Sequence, residues 1–355
     1  MRLMDVAAFD FELPDPLIAQ NPSPIRGESR LLVLRRDADE LVHSEFANLP
    51  DYLRAGDLLV LNNTRVFPAR LLGERVPSGG AVECLLLSGM EKGSGSETWD
   101  ALMHPGQKLK PGARVMFERD GVRLHGDVIA QHFHGRRTVR LWTADGSDVS
   151  AAIDRIGHIP LPPYIKREDS PLDRDRYQTV FAEQRGSVAA PTAGLHFTQK
   201  LFEALEHRGV QRTAVTLHVG YGTFKPVRSE RVEDHVVDAE TFVVPAAAAA
   251  ALTQARRDGR RVIAVGTTTA RVLESLSVGK DGRIGELRGV TRIFIHPGHK
   301  FTLVNGLITN FHLPRSSLLM LVAALAGHEK VMAAYRDAVE RRYRFYSYGD
   351  AMLIL

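Results

Sequence analysis

The spacing of hydrophobic and polar positions changes twice along this chain of 355 residues and divides it into three parts. Between residues 9 and 63, helix and strand patterns are mixed. Residues 16–20 favour a short helix, residues 30–35 a strand, and residues 58–62 a buried strand without alternation. This mixture is typical of the beginning of an α/β fold.

The middle part, from about residue 69 to residue 154, has little helical periodicity. Short apolar or alternating runs follow one another, separated by Gly-rich and Pro-Gly turns, and residues 93–97 suit a flexible hairpin tip. Closely spaced strands of this kind predict a small β-barrel. The strands predicted here are residues 81–87, 113–117, 122–131 and 138–142.

The α/β pattern resumes after the barrel region and continues to the end of the chain. Pro245 and the six alanines after it open a strong helix, and residues 260–265 predict a buried strand. Two more helices are predicted, residues 270–276 and 316–327. The predicted fold class is therefore α/β, with a larger discontinuous α/β domain (residues 1–65 and 155–355) and an inserted small β-barrel domain (residues 66–154).

Composition favours a globular cytoplasmic protein. With 44% apolar and 25% charged residues, the chain can bury the cores of two domains. Its start contains acidic residues, and its longest apolar run, residues 318–326, is far shorter than the roughly 20 residues of a spanning helix. We therefore expect neither a secretory signal nor contact with a membrane. Cys84 is the only cysteine, which excludes an internal disulfide and suits a reducing compartment.

The charge balance permits nucleic-acid binding without requiring it. The chain has 46 Lys and Arg against 42 Asp and Glu, a net charge of +4. Its densest basic and aromatic segment is residues 340–348 (ERRYRFYSY), where Arg341, Arg342 and Arg344 suit phosphates and the rings suit unpaired bases. A solvated helix end that continues into a buried aromatic strand explains the same segment equally well.

Two loops have the composition of a pocket lining. Residues 189–198 (AAPTAGLHFT) and 216–224 (TLHVGYGTF) each combine Gly, hydroxyl side chains and one His between apolar neighbours. Two such loops predict one shared site. A third segment, residues 266–269 (GTTT), leads from a strand into a helix, where free backbone N–H groups favour a carboxylate or phosphate. It lacks the P-loop and dinucleotide signatures, and an ordinary capped helix also explains it unless the two loops meet it in space.

Three histidines have similar surroundings: His196, His218 and His312 each lie between apolar residues. Such a histidine is more often a hydrogen-bonded structural residue than a catalyst. A zinc site is disfavoured because no His-Glu-x-x-His or Cys-x-x-Cys spacing is present, so we predict no metal. General acid/base work or a hydrogen bond to a ligand is the functional alternative.

Long motifs are spread almost from end to end of the chain. Besides the two loops, the motifs are FDFELP (9–14), LIAQ (17–20), SRLLV (29–33), LVLNNTR (59–65), IPLPPYI (159–165), YQTV (177–180), VGTT (265–268), TNFHLP (309–314) and YSYGDAM (346–352). In this order they resemble the motifs of the S-adenosylmethionine:tRNA ribosyltransferase-isomerases of queuosine biosynthesis. One departure lies at residues 235–240 (HVVDAE), where the family pattern has a second His in place of Asp238. This departure argues against an indispensable imidazole at that position, whereas His235 and Glu240 stay candidates.

The resemblance implies an enzyme that rearranges the ribosyl part of S-adenosylmethionine and attaches it to the aminomethyl group of a 7-deazaguanine at the tRNA wobble position. The products would be epoxyqueuosine-tRNA, adenine and methionine. A base would remove a proton beside the electron-withdrawing sulfonium, so that the sugar opens and adenine leaves; the amine then adds, and methionine leaves as the epoxide closes. S-adenosylmethionine is then a co-substrate, no cofactor is permanently bound, and the partner is a tRNA with a queuosine-type anticodon.

Such a reaction needs a base near the sulfonium, donors that help adenine leave, polar groups on the ribose and an anchor for the carboxylate, and our hypothesis assigns residues to these roles. We expect His218 to be the base near the sulfonium and His196 to assist the departure of adenine, with Glu240 as a competing base. Thr192 and Thr223 would contact the ribose, unless they only stabilise turns.

The turn at Gly266 together with Arg271 would bind the methionine carboxylate, unless Arg271 pairs with Glu274 on its own helix. The other candidates for substrate binding are Gly194, Gly220, Gly222, Thr267, Thr268 and His312. The candidates for tRNA binding are Arg65, Arg341, Arg342 and Arg344.

Two other classes of protein stay open at this point. An RNA methyltransferase would use the same donor and release S-adenosylhomocysteine, although the chain lacks the usual Gly-rich loop. A non-catalytic RNA-binding protein would use the β-rich insert and would leave the polar loops without a role. Whichever of these three classes is correct, we expect the protein to be a monomer.

Overall fold

The structure is a computed structural model that describes residues 4–38, 40–93, 95–220, 222 and 227–355. Within these residues the strands form a nine-stranded sheet, a closed barrel and a two-stranded sheet. The fold class predicted from the sequence, α/β with a barrel, is confirmed.

The nine-stranded sheet contains strands from both sides of the barrel region in the sequence. Its order is β15-β13-β12-β3-β14-β16-β17-β1-β2. The strands are β1 (Arg30–Leu34), β2 (Leu41–Glu45), β3 (Leu58–Asn62), β12 (Gln211–Leu217), β13 (Glu240–Val244), β14 (Val262–Val265), β15 (Leu287–Thr291), β16 (Gly306–Asn310) and β17 (Ala351–Ile354).

Four central strands of this sheet, β12, β3, β14 and β16, run parallel to one another. Every residue of β3, β14 and β16 is buried, because helices cover both faces of the sheet. The carboxyl ends of the four strands lie at one edge, at Leu217, Asn62, Val265 and Asn310. The loops that leave this edge are therefore neighbours in space.

Apolar side chains of helices α4 to α7 fill one face of the sheet, and those of α3 fill the other. Among the described residues, no single helix is long and apolar enough to cross a membrane; α6 and α7 pass such a test only as a pair, bent by 117°. The helices are α1 (Val149–Ile156), α2 (Asp173–Arg176), α3 (Gln199–His207), α4 (Ala246–Arg257), α5 (Thr267–Glu274), α6 (Ser317–Ala326) and α7 (His328–Glu340).

The barrel closes in the order β10-β7-β6-β5-β8-β9. Helix α1 packs its apolar side chains, including Ile153 and Ile156, into the core of the barrel. Beside the barrel, a parallel pair joins β4 (Thr64–Val66) to β11 (Gln184–Ser187). The barrel strands are β5 (Arg70–Val76), β6 (Ala81–Gly93), β7 (Ser96–His104), β8 (Arg114–Arg119), β9 (Val122–Gln131) and β10 (Arg136–Trp142).

Most predicted elements are present. The helix predicted at residues 16–20 is a single 3-10 turn, Asp15–Leu17, and the helix predicted at residues 270–276 begins earlier, at Thr267. Strands β5 and β7 were absent from the prediction. The domain limits at residues 66 and 154 stay a prediction.

Candidate functional site

A cavity of about 370 Å³ lies at the edge of the sheet where the four parallel strands end. This is the position at which open α/β sheets bind their ligands. Its walls come from the segment after β11, the start of α5, the loop after β16 and the segment before β17. The lining residues are Pro163, Tyr164, Ala189–Ala193, Val219, Gly266–Thr268, Thr309, Asn310, His312–Ser316, Leu318, Tyr346 and Ser347.

The two polar loops of the sequence meet each other and the Gly266 turn at this cavity. Ala189–Ala193 of the first loop and Val219 of the second line the same cavity. Directly before the first loop, Ser187 Oγ accepts from Val219 N at 2.8 Å, and Val188 N donates to Val219 O at 3.3 Å. A methyl group added at Gly266 would lie 3.8 Å from Ala193 Cβ, so the turn packs against the first loop. Both loops therefore meet the Gly266 turn in space, which favours a ligand-binding turn over an ordinary capped helix.

The polar pair at the end of β3, Asn62 and Asn63, holds the second loop and the start of α5 in place. Asn62 Oδ1 accepts from Leu217 N, and Asn62 Nδ2 donates to Leu217 O, each at 3.0 Å. The same amide nitrogen lies 3.4 Å from Thr268 Oγ1. Thr216 Oγ1 donates to Asn63 Oδ1 at 2.6 Å. Sequence reasoning missed this function, although a polar pair at the end of an apolar strand was a usable signal.

His218 lies beside the cavity without lining it. Its Nδ1 is 2.8 Å from Thr64 Oγ1, and its half-buried ring covers Gly186, where a Cβ would be only 2.7 Å from Cε1. Burial lowers the pKa of His218 below the ordinary value of 6.5. Within the described residues, Nε2 has no hydrogen-bond partner, and the neighbouring Val219 does line the cavity.

His196 is buried between the cavity and the strands. Its Nδ1 lies 2.7 Å from Ser29 Oγ, its Nε2 lies 3.2 Å from Asn310 Nδ2, and its ring packs against Phe46. Burial, followed by the charges of Arg26 and Arg344, lowers the pKa of His196 to about 4. The ring is therefore neutral at pH 7, and both of its nitrogens are occupied.

His312 is the predicted histidine whose side chain lines the cavity. Its Nε2 bonds to Thr309 Oγ1 at 2.8 Å, which leaves Nδ1 as the nitrogen available to a ligand. Burial lowers the pKa of His312 to about 3, so the ring is neutral at pH 7. It can donate or accept a hydrogen bond there without carrying charge.

Glu240 and Arg271 form a buried ion pair in a smaller pocket that shares Leu318 with the large cavity. Glu240 Oε1 also accepts from Gly220 N at 3.1 Å, and Arg271 Nε donates to Ile293 O at 3.2 Å. Arg271 is thus not beside Gly266, with which the sequence grouped it. It also does not pair with Glu274, whose carboxylate accepts from the backbone at residues 302–304.

The remaining predicted residues divide by position. Thr192, Thr267 and Thr268 line the cavity, and Gly222 lines the smaller pocket. Gly194 lies beneath Phe181, where a Cβ would come within 2.7 Å of the ring, so packing explains this glycine. Thr223 lies outside the described residues.

The predicted tRNA-binding arginines lie at the surface or near it. Arg65, Arg341 and Arg342 are exposed, while Arg344 is half-buried and donates to Asn21 O. Of the aromatic rings in the same segment, Tyr343 and Phe345 are buried in the core, as the alternative interpretation of this segment proposed. Tyr346 lines the cavity instead, a position that the local sequence pattern does not predict.

No group of three or more His, Cys, Asp or Glu side chains in the described part of the chain is placed to hold a metal ion. The fold and the cavity together define an α/β protein with a cavity at the carboxyl ends of parallel strands and a closed β-barrel.

The chain belongs to the family of queuosine biosynthesis proteins, whose model matches residues 6–354. It is 51% identical over 354 residues to the S-adenosylmethionine:tRNA ribosyltransferase-isomerase of Anaeromyxobacter sp., covering 100% of this chain and 99% of that one. It is 49% identical over 352 residues to the protein of the same name from Heliobacterium modesticaldum, covering 99% of this chain and 100% of that one.

A solved structure is also similar. The crystal structure of S-adenosylmethionine tRNA ribosyltransferase from Thermotoga maritima has 38% sequence identity and a TM-score of 0.55, covering 98% of this chain and 100% of that chain. The family resemblance found in the sequence motifs is confirmed.

Proposed function

We propose that this protein is an S-adenosylmethionine:tRNA ribosyltransferase-isomerase. It transfers and isomerises the ribosyl part of S-adenosylmethionine onto 7-aminomethyl-7-deazaguanine at the tRNA wobble position, and it releases adenine and methionine. One observation carries the proposal: relatives of that name match the chain over its whole length, and several of the family motifs line one cavity.

The cavity suits the donor in size and in the distribution of its polar groups. At about 370 Å³ it falls within the range of small-molecule sites. Most of its lining is apolar, and its polar groups include Thr192, the threonines of the Gly266 turn, Asn310 and His312. Such a site holds a nucleoside with a short polar tail.

The Gly266 turn is the proposed anchor for the methionine carboxylate. Gly266 has φ 90° and ψ 150°, and α5 begins at the next residue. The first N–H groups of that helix lack helical partners and carry partial positive charge, and the hydroxyls of Thr267 and Thr268 add donors. Thr192 is the proposed ribose contact, because it lines the same cavity.

His218 is the proposed base. Burial favours its neutral form, the hydrogen bond to Thr64 fixes the ring, and Nε2 is left without a partner among the described residues. Removal of a proton beside the sulfonium opens the sugar and expels adenine. The substrate amine then adds, and the epoxide closes as methionine takes the C–S electron pair. Glu240 is the weaker candidate because Arg271 and Gly220 N–H occupy its carboxylate.

For the RNA, we propose that Arg65, Arg341, Arg342 and Arg344 contact phosphates of the anticodon arm. The target base must leave its stack to reach a cavity, and an unpaired loop makes that step cheaper than a duplex does. A tRNA substrate and a single cysteine support a cytoplasmic protein, which we expect to act as a monomer without a permanently bound cofactor.

The proposal is tested by incubating the protein with S-adenosylmethionine and precursor tRNA and identifying the small molecules that are released. Adenine and methionine in equal amounts are expected. A parallel reaction with tRNA that carries unmodified guanine is the control, because that base lacks the accepting amine and should release neither. S-adenosylhomocysteine would show a methyltransferase instead, and binding without any release would show a non-catalytic RNA-binding protein.

A further inference from the structure

The Asn310 side chain connects the buried His196 to the cavity. Asn310 is the last residue of β16, is only 2% exposed and belongs to the cavity lining. Its Nδ2 donates to Tyr346 O at 3.0 Å and lies 3.2 Å from His196 Nε2. Both protons of the amide nitrogen are therefore used.

These contacts fix the orientation of the amide. If the amide were rotated by 180°, Asn310 Oδ1 would face Tyr346 O, and two acceptors would repel each other. Because Nδ2 must donate to His196 Nε2, the imidazole carries its proton on Nδ1 and donates it to Ser29 Oγ at 2.7 Å. Ser29, His196 and Asn310 thus form a hydrogen-bonded chain in which the donor and the acceptor of each bond are fixed.

This orientation leaves one acceptor unused at the cavity wall. Asn310 Oδ1 is buried and has no hydrogen-bond partner among the described residues. A buried polar atom without a partner is unfavourable unless a ligand supplies one. The atom therefore indicates a ligand that brings an N–H or O–H donor to this end of the cavity.

The neighbouring Tyr346 provides a flat wall at the same end. Its φ of 73° lies in the left-handed region, which is unusual for a bulky residue. Three hydrogen bonds hold it there: from Asn310 Nδ2 and Gly349 N to its carbonyl, and from its own N–H to Phe311 O. Its ring packs 4.0 Å from the ring of Tyr164, and both rings line the cavity.

We infer that this end of the cavity is the adenine subsite, in which Asn310 Oδ1 accepts the C6 amino N–H of adenine and the ring lies along Tyr346, with His196 as a positioning residue. The inference rests on the proposed function, which supplies S-adenosylmethionine as the ligand. Of the parts of that ligand, adenine alone combines a flat ring with an N–H donor. The carboxylate belongs at the Gly266 turn, where the helix N–H groups are.

The adenine subsite predicts rejection of a 6-oxo base. An oxygen at C6 would face Asn310 Oδ1, acceptor against acceptor, and a buried site built for one hydrogen bond discriminates strongly against such a change. We expect calorimetry, without tRNA, to show that the wild type binds S-adenosylmethionine at least about tenfold more tightly than its deaminated 6-oxo analogue.

Two variants of His196 separate positioning from general folding. In His196→Gln the side-chain amide oxygen reaches the place of Nε2 and still accepts from Asn310, so discrimination should stay within about threefold of the wild type. In His196→Asn the shorter side chain reaches only the place of Nδ1, near Ser29, and Asn310 loses one of its two fixed contacts. Its amide can then turn, and discrimination should fall to less than about threefold.

Each outcome decides something. Equal binding of the two ligands by the wild type would overturn the adenine subsite, whether or not any variant folds. Full discrimination by His196→Asn would overturn the positioning role of His196. If the wild type binds neither ligand, the proposed function itself fails, whereas loss of discrimination with retained S-adenosylmethionine binding contradicts the inference alone.

Discussion

Single residues in similar sequence settings have different environments in this protein. His196, His218 and His312 each lie between apolar neighbours, yet one is enclosed, one is half-buried beside the site and one lines the cavity. The difference arises from partners far along the chain: Ser29 is 167 residues from His196, and Thr64 is 154 residues from His218. Local patterns predicted the residue types of the site, but long-range contacts determine which of them can reach a ligand.

The proposed base is tested by His218→Gln, which should abolish turnover and leave tRNA affinity unchanged. Thr64→Val, which removes the hydroxyl that orients the ring, should lower kcat by roughly 10–100-fold, because general-base catalysis contributes about 10²–10⁴-fold and a misoriented ring loses part of that contribution. Thr64→Ser keeps the hydroxyl and is the matched control. Turnover of His218→Gln near the wild-type rate would remove His218 from the mechanism.

The pH dependence of the reaction follows from the same residue. Because burial lowers the pKa of His218, the neutral base should persist below the ordinary pKa of 6.5, and kcat should fall only at more acidic pH. A pH-rate profile in wild-type protein measures the acid limb. A midpoint above 6.5 would contradict this assignment.

Acid should destabilise the fold through the two buried histidines, His196 and His312. In the folded protein, His196 and His312 have pKa values of about 4 and about 3, whereas both titrate near 6.5 when unfolded. Between these values the unfolded chain binds more protons, so stability falls as pH falls, by roughly 2 kcal/mol per histidine at pH 5. Urea unfolding at pH 7.5 and at pH 5 measures this loss of stability. In His312→Gln, the difference in unfolding free energy between the two pH values should be about half as large. An unchanged pH dependence in that variant would refute the account.

At the scale of elements, the start of α5 is the feature on which donor binding depends. Gly266 has φ 90° and ψ 150°, a conformation that essentially only glycine adopts, and it directs the first N–H groups of the helix toward the cavity. The sequence predicted this helix to begin at residue 270, because three threonines in a row disfavour a helix. Thr269 Oγ1 donates to Val265 O at 2.6 Å, so this buried hydroxyl has a hydrogen-bond partner within the first turn of the helix.

Gly266→Ala should weaken S-adenosylmethionine binding at least about tenfold, because the strained backbone cannot keep the N–H groups in place. Gly259→Ala is a matched control: Gly259 follows α4 with φ 63°, and a Cβ there would meet nothing within 4 Å. That control should cost stability of about 1–2 kcal/mol without changing donor affinity. If the two variants bind S-adenosylmethionine with equal affinity, the Gly266 turn is not the anchor of the methionine carboxylate.

The barrel shows where strand prediction fails. Four of its six strands were predicted because their apolar residues alternate or form a continuous run. In β7 the inward positions include the polar Glu97 and the small Ala101, while Leu102 points outward, so the contrast between faces is weak. In β5, Leu71 is the only buried residue and Leu72 is 39% exposed. Both strands form because they pair with neighbouring strands, and the local sequence pattern does not show that pairing.

For the whole molecule, the sequence predicted the insertion of a barrel into an α/β fold, because the change of periodicity extends over about 85 residues. It did not predict that the segment before β17 lines the same cavity as the segments after β11 and β16. That convergence depends on the order of strands in the nine-stranded sheet, in which β17 lies between β16 and β1. Local patterns carry little information on such an order.

Electrostatic binding of tRNA is a property of the whole surface. Each phosphate contact that an arginine makes should contribute about 0.7–0.9 to the slope of log affinity against log salt. Arg65→Gln and Arg342→Gln should each reduce that slope by nearly one, and Arg257→Gln, an exposed arginine on α4, should not. Filter binding of precursor tRNA over a series of salt concentrations measures this slope. An affinity independent of salt would exclude the electrostatic interface.

The central claim is that the pentose of S-adenosylmethionine, and not its methyl group, is transferred to the tRNA. The most direct test uses two donors, one with ¹³C in the ribose and one with ¹³C in the methyl group, followed by mass spectrometry of the tRNA nucleosides. The account predicts ribose label in the modified wobble nucleoside and methyl label only in free methionine. Methyl label in the tRNA, with the ribose label left on a released nucleoside, would contradict it.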